Sequence, residues 1–453
     1  MDEKQDHAAN VGAILTIDDD LEPIGTDTGL DRLIPDDREN ERFVRLNLGR
    51  NYLAHFSHGM FGMTGFRLIY APTFVPAYLF ALTGSTVMVG LSQALQQVGA
   101  VLSPLLSASE IEDKRRILPN AMRNGTMMRI QLLGLALSGW FLSGFWLVLA
   151  TMGFLFLLGY YSGAQRVSFQ MLMAKVIPIE KRGRLQGYRN LAGGGIAAAL
   201  SWWAGSILIQ KNILGNGYAT TFMLSFILTS VGLTMLALFI REPDNHRPRA
   251  PMRLRDRIRE LPQLLAERSY RNFLIAQLLT TGGRIAMPFC ILHAGDVMHL
   301  DGTSLGLFSL AFLGAETLSN LVWGALGDWK GFRLVYILAN VIWLVGFLLM
   351  LVARDHTGFV LGFVALGAAM CGYSLSQQTL VLEFGAREDT PMRLALSTTA
   401  ETSVAAIGPF IGGIIAAAFG FVPLIWVSMA LLAAALLVIL LGVQEPRFEN
   451  NSL

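Results

Sequence analysis

From about residue 51 the chain alternates between apolar stretches of roughly 20 residues and short polar breaks, and each stretch is long enough to cross a bilayer as a helix. Twelve spans follow from this pattern: approximately 52–80, 85–107, 121–142, 146–174, 185–210, 218–240, 272–294, 304–326, 334–353, 358–384, 393–419 and 421–442. The pattern predicts an all-α polytopic membrane protein. Residues 1–50 read differently, with 13 acidic and 6 basic residues, Asp18, Asp19 and Asp20 among them. Little periodicity runs through them, which predicts an acidic disordered tail, and no apolar core follows a basic start as in a cleavable signal peptide.

Composition agrees: 53% of residues are hydrophobic and 15% charged, against about 25% charged in soluble globular proteins. An ordinary soluble enzyme is excluded, and a net charge of +2 offers no broad basic surface for nucleic acid. Cys290 and Cys371 lie in apolar runs and give neither a disulfide framework nor metal-ligand spacing. No nucleophile elbow or phosphate-binding glycine loop with its lysine occurs, so no enzyme, metal or resident cofactor is expected.

The loops carry the orientation. Breaks after even-numbered spans, with the C-terminal tail, hold 21 Lys and Arg residues, whereas the others hold Lys211 and Arg354 alone. The positive-inside bias therefore places both termini in the cytoplasm, for a protein of the inner membrane. The break at 242–271 spaces Leu254, Ile258, Leu261 and Leu265 among arginines, which fits either an amphipathic helix on anionic lipid or a solvated linker.

The halves repeat at a shift of about 210 to 217 positions. Thr64, Gly65, Phe66 and Arg67 match Thr281, Gly282, Gly283 and Arg284; Tyr161, Ser162 and Gln165 match Tyr373, Ser374 and Gln377. Six spans per half keep both halves in one orientation, giving parallel repeats about an axis along the membrane normal. The expected division is tail 1–50, first half 51–241, linker 242–271, second half 272–443 and tail 444–453.

The eighth break reads Gly324, Ala325, Leu326, Gly327, Asp328, Trp329, Lys330, Gly331, Phe332, Arg333. It resembles the loop signature of the major facilitator superfamily, of which the first half carries a degenerate copy with Glu112 as its acid. Pro178, Arg182, Gly183 and Gly187 are also similar to family members at that place. The resemblance implies twelve helices in two pseudo-symmetric six-helix halves, a central cavity lined by helices 1, 4, 7 and 10, and transport by alternating access. Asp328, Arg333, Gly324, Gly331, Glu112 and Arg182 are the expected cytoplasmic gate. An acid at a helix end beside a glycine can hold a neighbouring helix terminus and its arginines.

Six cations fall within spans. Arg123, Arg129 and Arg189 lie near cytoplasmic ends, where snorkelling to headgroups is expected, and His55 and His58 read as interfacial. Arg67, Arg166 and Arg284 are too deep for that. A deep arginine costs roughly 2.5 to 3.5 kcal/mol on insertion scales and needs a partner, a wet cavity or a ligand. Two readings stay open. Arg67, Arg284 and Arg166, with Gln165, Gln377, Gln378 and Tyr70, can bind an anionic or zwitterionic solute, an arrangement similar to that of organophosphate-transporting members. Alternatively each arginine pairs with Glu316, Glu401 or Glu383, carboxylates that are also the natural proton-coupling groups. The combined expectation is a monomeric secondary transporter of a small-molecule substrate among membrane lipids, with a proton as candidate coupling ion. Export of amphiphilic or cationic compounds, or a lipid scramblase or membrane enzyme on the same scaffold, are the rivals. Drug–proton antiporters of the family carry a Gly-Pro-x-x-Gly-Gly type motif on helix 5, which here falls on helix 11 as Gly408, Pro409, Gly412 and Gly413.

Overall fold

A computed structural model describes residues 35–112, 114–244, 264–384 and 390–444. The described residues fall into two units, divided between Asn47 and Leu48. In the first, Pro35–Leu46 is a helix carrying an Arg45–Glu41 ion pair one turn apart at 2.6 Å. Helix therefore replaces the expected disorder over those twelve residues, because charges of opposite sign sit one turn apart and support the turn.

Among the described residues of the second unit, twelve long helices run in sequence: α1 Leu48–Thr83, α2 Thr86–Glu112, α3 Leu118–Phe141, α4 Gly144–Val176, α5 Ile179–Ile209, α6 Gly217–Phe239, α7 Arg268–Val297, α8 Gly302–Lys330, α9 Phe332–Val352, α10 His356–Glu383, α11 Thr390–Phe419 and α12 Phe421–Gly442. Ten are long and apolar enough to cross a membrane by length and composition. The other two, α2 and α3, carry Gln93, Gln96 and Gln97 and Asn120, Arg123, Asn124 and Arg129, which lower their hydropathy. No strand occurs among the described residues. The chain is an all-α polytopic membrane protein.

The second half repeats the packing of the first. Helix α1 packs on α5 and α6, α2 on α4, and α3 on α4 and α6; correspondingly α7 packs on α11 and α12, α8 on α10, and α9 on α10 and α12. Two further contacts, α2 on α11 and α5 on α8, join the halves and exchange under the same two-fold. The joints need small residues. A Cβ added at Gly90 would stand 2.2 Å from the Pro409 carbonyl oxygen, and one at Gly205 2.4 Å from the Cα of Gly306. Polar links reinforce them: Thr86 donates to the Gly413 carbonyl at 3.0 Å and the Gly302 N–H to Gln210 Oε1 at 2.7 Å, while Ser309 of α8 donates to Thr73 in the break of α1 at 2.7 Å. All of these lie toward the bundle end opposite the basic loops.

At that same end, the side chains of Asn216, Asp301 and Asp355 accept backbone N–H groups to start α6, α8 and α10. The first helix of each half is broken just beyond its matched arginine. Helix α1 turns at 71–73, where Pro72 sits, and α7 tightens to a 3₁₀ stretch over Arg284–Phe289 containing Pro288. Proline removes a donor from the helical ladder and crowds the preceding turn, so both breaks have a local cause.

Candidate functional site

Two cavities meet at the centre of the bundle. The first, about 290 Å³, is walled by the breaks of α1 and α7 (Ala71, Pro72, Met287, Pro288), with Arg67, Tyr70, Gln93, Gln97, Arg284 and Glu316 supplying polar groups. The second, about 420 Å³, runs toward the basic end between α5, α8 and α10 past Asn190, Asn320, Ser374 and Gln378. Arg67 and Glu316 line both. Such volumes suit a small organic solute.

The matched arginines differ in how they are held. Arg67 Nη1 donates to Thr317 Oγ1 at 2.9 Å and stands 3.9 Å from Glu316 Oε2, across the boundary between the halves. Its neighbour on α5 is Gly194, where an added Cβ would lie 2.1 Å from Thr317 Oγ1 and 2.4 Å from Arg67 Nη1. Glycine is what lets the guanidinium reach α8. Arg284 instead pairs within its own half: Nη2 donates to Glu401 Oε1 at 3.2 Å, while the guanidinium lies 4.8 Å over Tyr373 and 5.9 Å over Trp343. Glu401 also accepts from Tyr373 at 3.4 Å and from Gln377 Nε2 at 3.0 Å. Gln277 donates to Gln377 at 2.9 Å and accepts from Ser397 at 2.8 Å. Charged hydrogen bonds in series hold Arg284 far more firmly than Arg67 is held.

The remaining predicted residues separate. Tyr70 lines the first cavity and Gln378 the second, while Gln377 serves Glu401. Arg166 is exposed on α4 and belongs to the wall of neither cavity. Gln165 is buried toward α3, within 3.2 Å of where a Cβ at Gly125 would stand, and neither amide atom has a partner among the described residues. Glu383 is the last residue of α10 and lies outside both cavity walls. The sequence reading missed Thr317, Gln277 and Ser397. Gln277 was within reach, since it lies four and seven residues before Thr281 and Arg284 on one helical face.

At the basic end, Arg333 donates to the α12 carbonyls of Ile439 and Leu440 at 3.3 and 3.0 Å. Arg182 likewise holds the end of α4 through Ala174 and Ile177, at 2.6 and 2.8 Å. Asp328 is exposed. Gly331, at φ 90°, makes the turn from α8 to α9 in a conformation that favours glycine. A Cβ at Gly324 would meet nothing within 4 Å, so that glycine is not a close-approach site here; Glu112 is the last residue of α2. The snorkelling expectation is corrected at two of its three arginines. Arg123 pairs with Glu110, but Arg129 and Arg189 are buried at 3% and 4% exposure and turn inward, where carbonyls and rings receive them. His55 is wholly buried as well, so it is no interfacial residue. The residues named for the amphipathic linker lie outside the described ones, except Leu265.

Residues 273–452 match the sequence profile described as Major Facilitator Superfamily. The multidrug resistance protein MdtG of Proteus mirabilis is 31% identical over 182 residues, 37% of this chain and 42% of that protein. The MdtG of Escherichia fergusonii is 26% identical over 184 residues, 39% and 45% respectively. The chain thus spans less than half the length of these curated relatives in the matches. Two solved structures share the fold at 13% identity: the nucleoside transporter NupG, TM-score 0.62 over 86% of this chain and 97% of that one, and a D-xylose–proton symporter, TM-score 0.66 over 88% and 99%. The matched profile thus covers the second half, which is similar to the Major Facilitator Superfamily, and the first half repeats the packing of that half helix for helix.

Proposed function

We propose that the protein is a secondary transporter that moves a small anionic or zwitterionic organic solute across the inner membrane, with protons as the coupling ion. The carrying observation is that Arg67 and Arg284, from equivalent places in the two halves, line one cavity of about 290 Å³. Guanidinium groups in a poorly hydrated pocket recognise carboxylate or phosphate through paired hydrogen bonds.

The basic loops mark the cytoplasmic end. The joints between halves sit at the opposite end, and the second cavity leads toward the cytoplasm, so the conformation reads as inward-facing. Residues 51–241 and 272–443 would rock about the α2–α11 and α5–α8 joints, the linker 242–271 connecting them, in a protein working as a monomer. Asp328 and Arg333 are then assigned to the cytoplasmic latch of the opposite state; in the inward-facing one Asp328 is released. Arg67 and Arg284 with Glu316 and Glu401 sum to zero charge. A solute carboxylate can therefore enter as a proton joins Glu316, keeping the cavity neutral.

One observation favours a second reading. The curated relatives are multidrug resistance proteins, and both arginines already have internal carboxylate partners, which suits export of amphiphilic cations drawn to Glu316. Thermal stabilisation of the purified protein by a matched panel of organic anions, cations and neutral amphiphiles separates the two. Stabilisation by an anion, lost in a folded Arg67→Ala variant, supports the first; stabilisation by lipophilic cations alone supports the second.

A further inference from the structure

The first half buries two arginines that no carboxylate neutralises among the described residues. Arg129 on α3 donates Nε to the Thr229 carbonyl at 2.7 Å and Nη1 to that of Gly125 at 2.6 Å; its Nη2 is 3.5 Å from His58 Nε2. Arg189 on α5 donates Nη1 to Gln186 Oε1 at 3.0 Å and lies 4.7 Å over the Phe169 ring of α4, while its Nε has no partner among the described residues. His55 and His58 on α1 flank the same ring, with centroids 5.1 and 4.9 Å away. Both nitrogens of His55 and Nδ1 of His58 also lack partners among the described residues. Arg67 and Arg284, by contrast, each stand within ion-pair range of a glutamate.

The unmatched groups include donors. A neutral imidazole must present one N–H, so His55 contributes a donor, Arg189 Nε–H contributes another, and two guanidinium charges stand behind them. Carbonyl dipoles and a ring face supply only partial negative charge, and buried cations call for more than that. Space is narrow: a Cβ at Gly59 would lie 2.1 Å from Arg189 Nε, and none of the four residues lines either central cavity. We infer that His55, His58, Arg129 and Arg189 form a separate site for a small inorganic anion of the chloride class, bound between α1, α3, α4 and α5. None of the four lines the cavities that hold Arg67 and Arg284, so the site is distinct from that of the transported solute.

Chloride itself is the probe. The full-length protein is melted in sodium chloride and in sodium gluconate at equal ionic strength, with and without Arg189→Gln. Chloride is expected to raise the midpoint by a few degrees, saturating with concentration, and Arg189→Gln to remove the difference. Equal midpoints for the unaltered protein in the two salts overturn the site, as does a difference that persists in Arg189→Gln. Should that variant not fold, crystals of the unaltered protein in bromide decide: an anomalous peak within hydrogen-bond reach of Arg189 supports the site, and its absence overturns it.

Discussion

Replacing Glu316 with Gln tests whether the Arg67 pair is a working contact or a structural one. Unit charges 3.9 Å apart attract by about 4 kcal/mol at an effective dielectric near 20. Desolvation offsets most of that, since the side chains retain only 18% and 26% exposure, leaving a net hold of about 1–2 kcal/mol. If an entering anion must displace Glu316, removing the charge strengthens anion binding by that amount, about 5- to 30-fold. The pH response changes too. Protonating Glu316 releases Arg67, so anion affinity of the unaltered protein rises as pH falls, whereas in Glu316→Gln it stays flat. Binding is read by thermal shift or calorimetry across pH, and coupling by uptake into proteoliposomes with an imposed pH gradient, which the variant no longer uses. A structural pair gives the opposite result: an uncompensated buried arginine lowers stability by about 3–5 kcal/mol. A variant that fails to accumulate folded, or that binds the anion no better at any pH, refutes the reasoning.

Three further outcomes are expected. Arg67→Ala abolishes anion-induced stabilisation and keeps the fold, because Glu316 faces the cavity; Arg284→Ala abolishes it and also lowers stability by about 3 kcal/mol, because Glu401 loses its cation inside a packed network. Melting curves beside uptake distinguish them. Gly90→Val drives a side chain into the Pro409 carbonyl and wedges α2 from α11, so a cysteine placed near the far mouth becomes more reactive to an impermeant thiol reagent; unchanged labelling counts against a tight joint there. Asp328→Asn slows turnover and leaves solute affinity within a few fold, and an unaltered rate removes Asp328 from the latch.

The twelve helices were legible because a bilayer imposes a length on each apolar stretch, and boundaries moved by only a few residues. The repeat was legible in three identical positions of four around Arg67 and Arg284, and those arginines do share a cavity. What escaped was orientation about the helix axis. Arg166 and Gln165 are neighbours on α4, yet one is exposed and the other buried toward α3, because successive residues on a helix point about 100° apart and α4 has no strong polar face to fix its rotation. Arg129 and Arg189 escaped for a related reason. Distance from a helix end says whether an arginine can reach headgroups, while the carbonyls of Thr229 and Gly125 and the Phe169 ring, which drew them inward, come from other helices.

The repeat also breaks where function would need it to break. In the second half, α11 presents Glu401 to Arg284, and Tyr373, Gln377, Gln277 and Ser397 complete the cage. In the first half, the α5 neighbour of Arg67 is Gly194, which offers no charge and leaves the guanidinium free to cross to Thr317 and Glu316 on α8. A pair inside one rigid half keeps its geometry when the halves rock, whereas a pair between halves must stretch or part. Arg284 is thus suited to a constant anchor for solute, and Arg67 to the contact whose strength differs between states. Only the second kind can link solute and proton to rocking, since a ligand shifts a conformational equilibrium solely through what it binds differently in the two states.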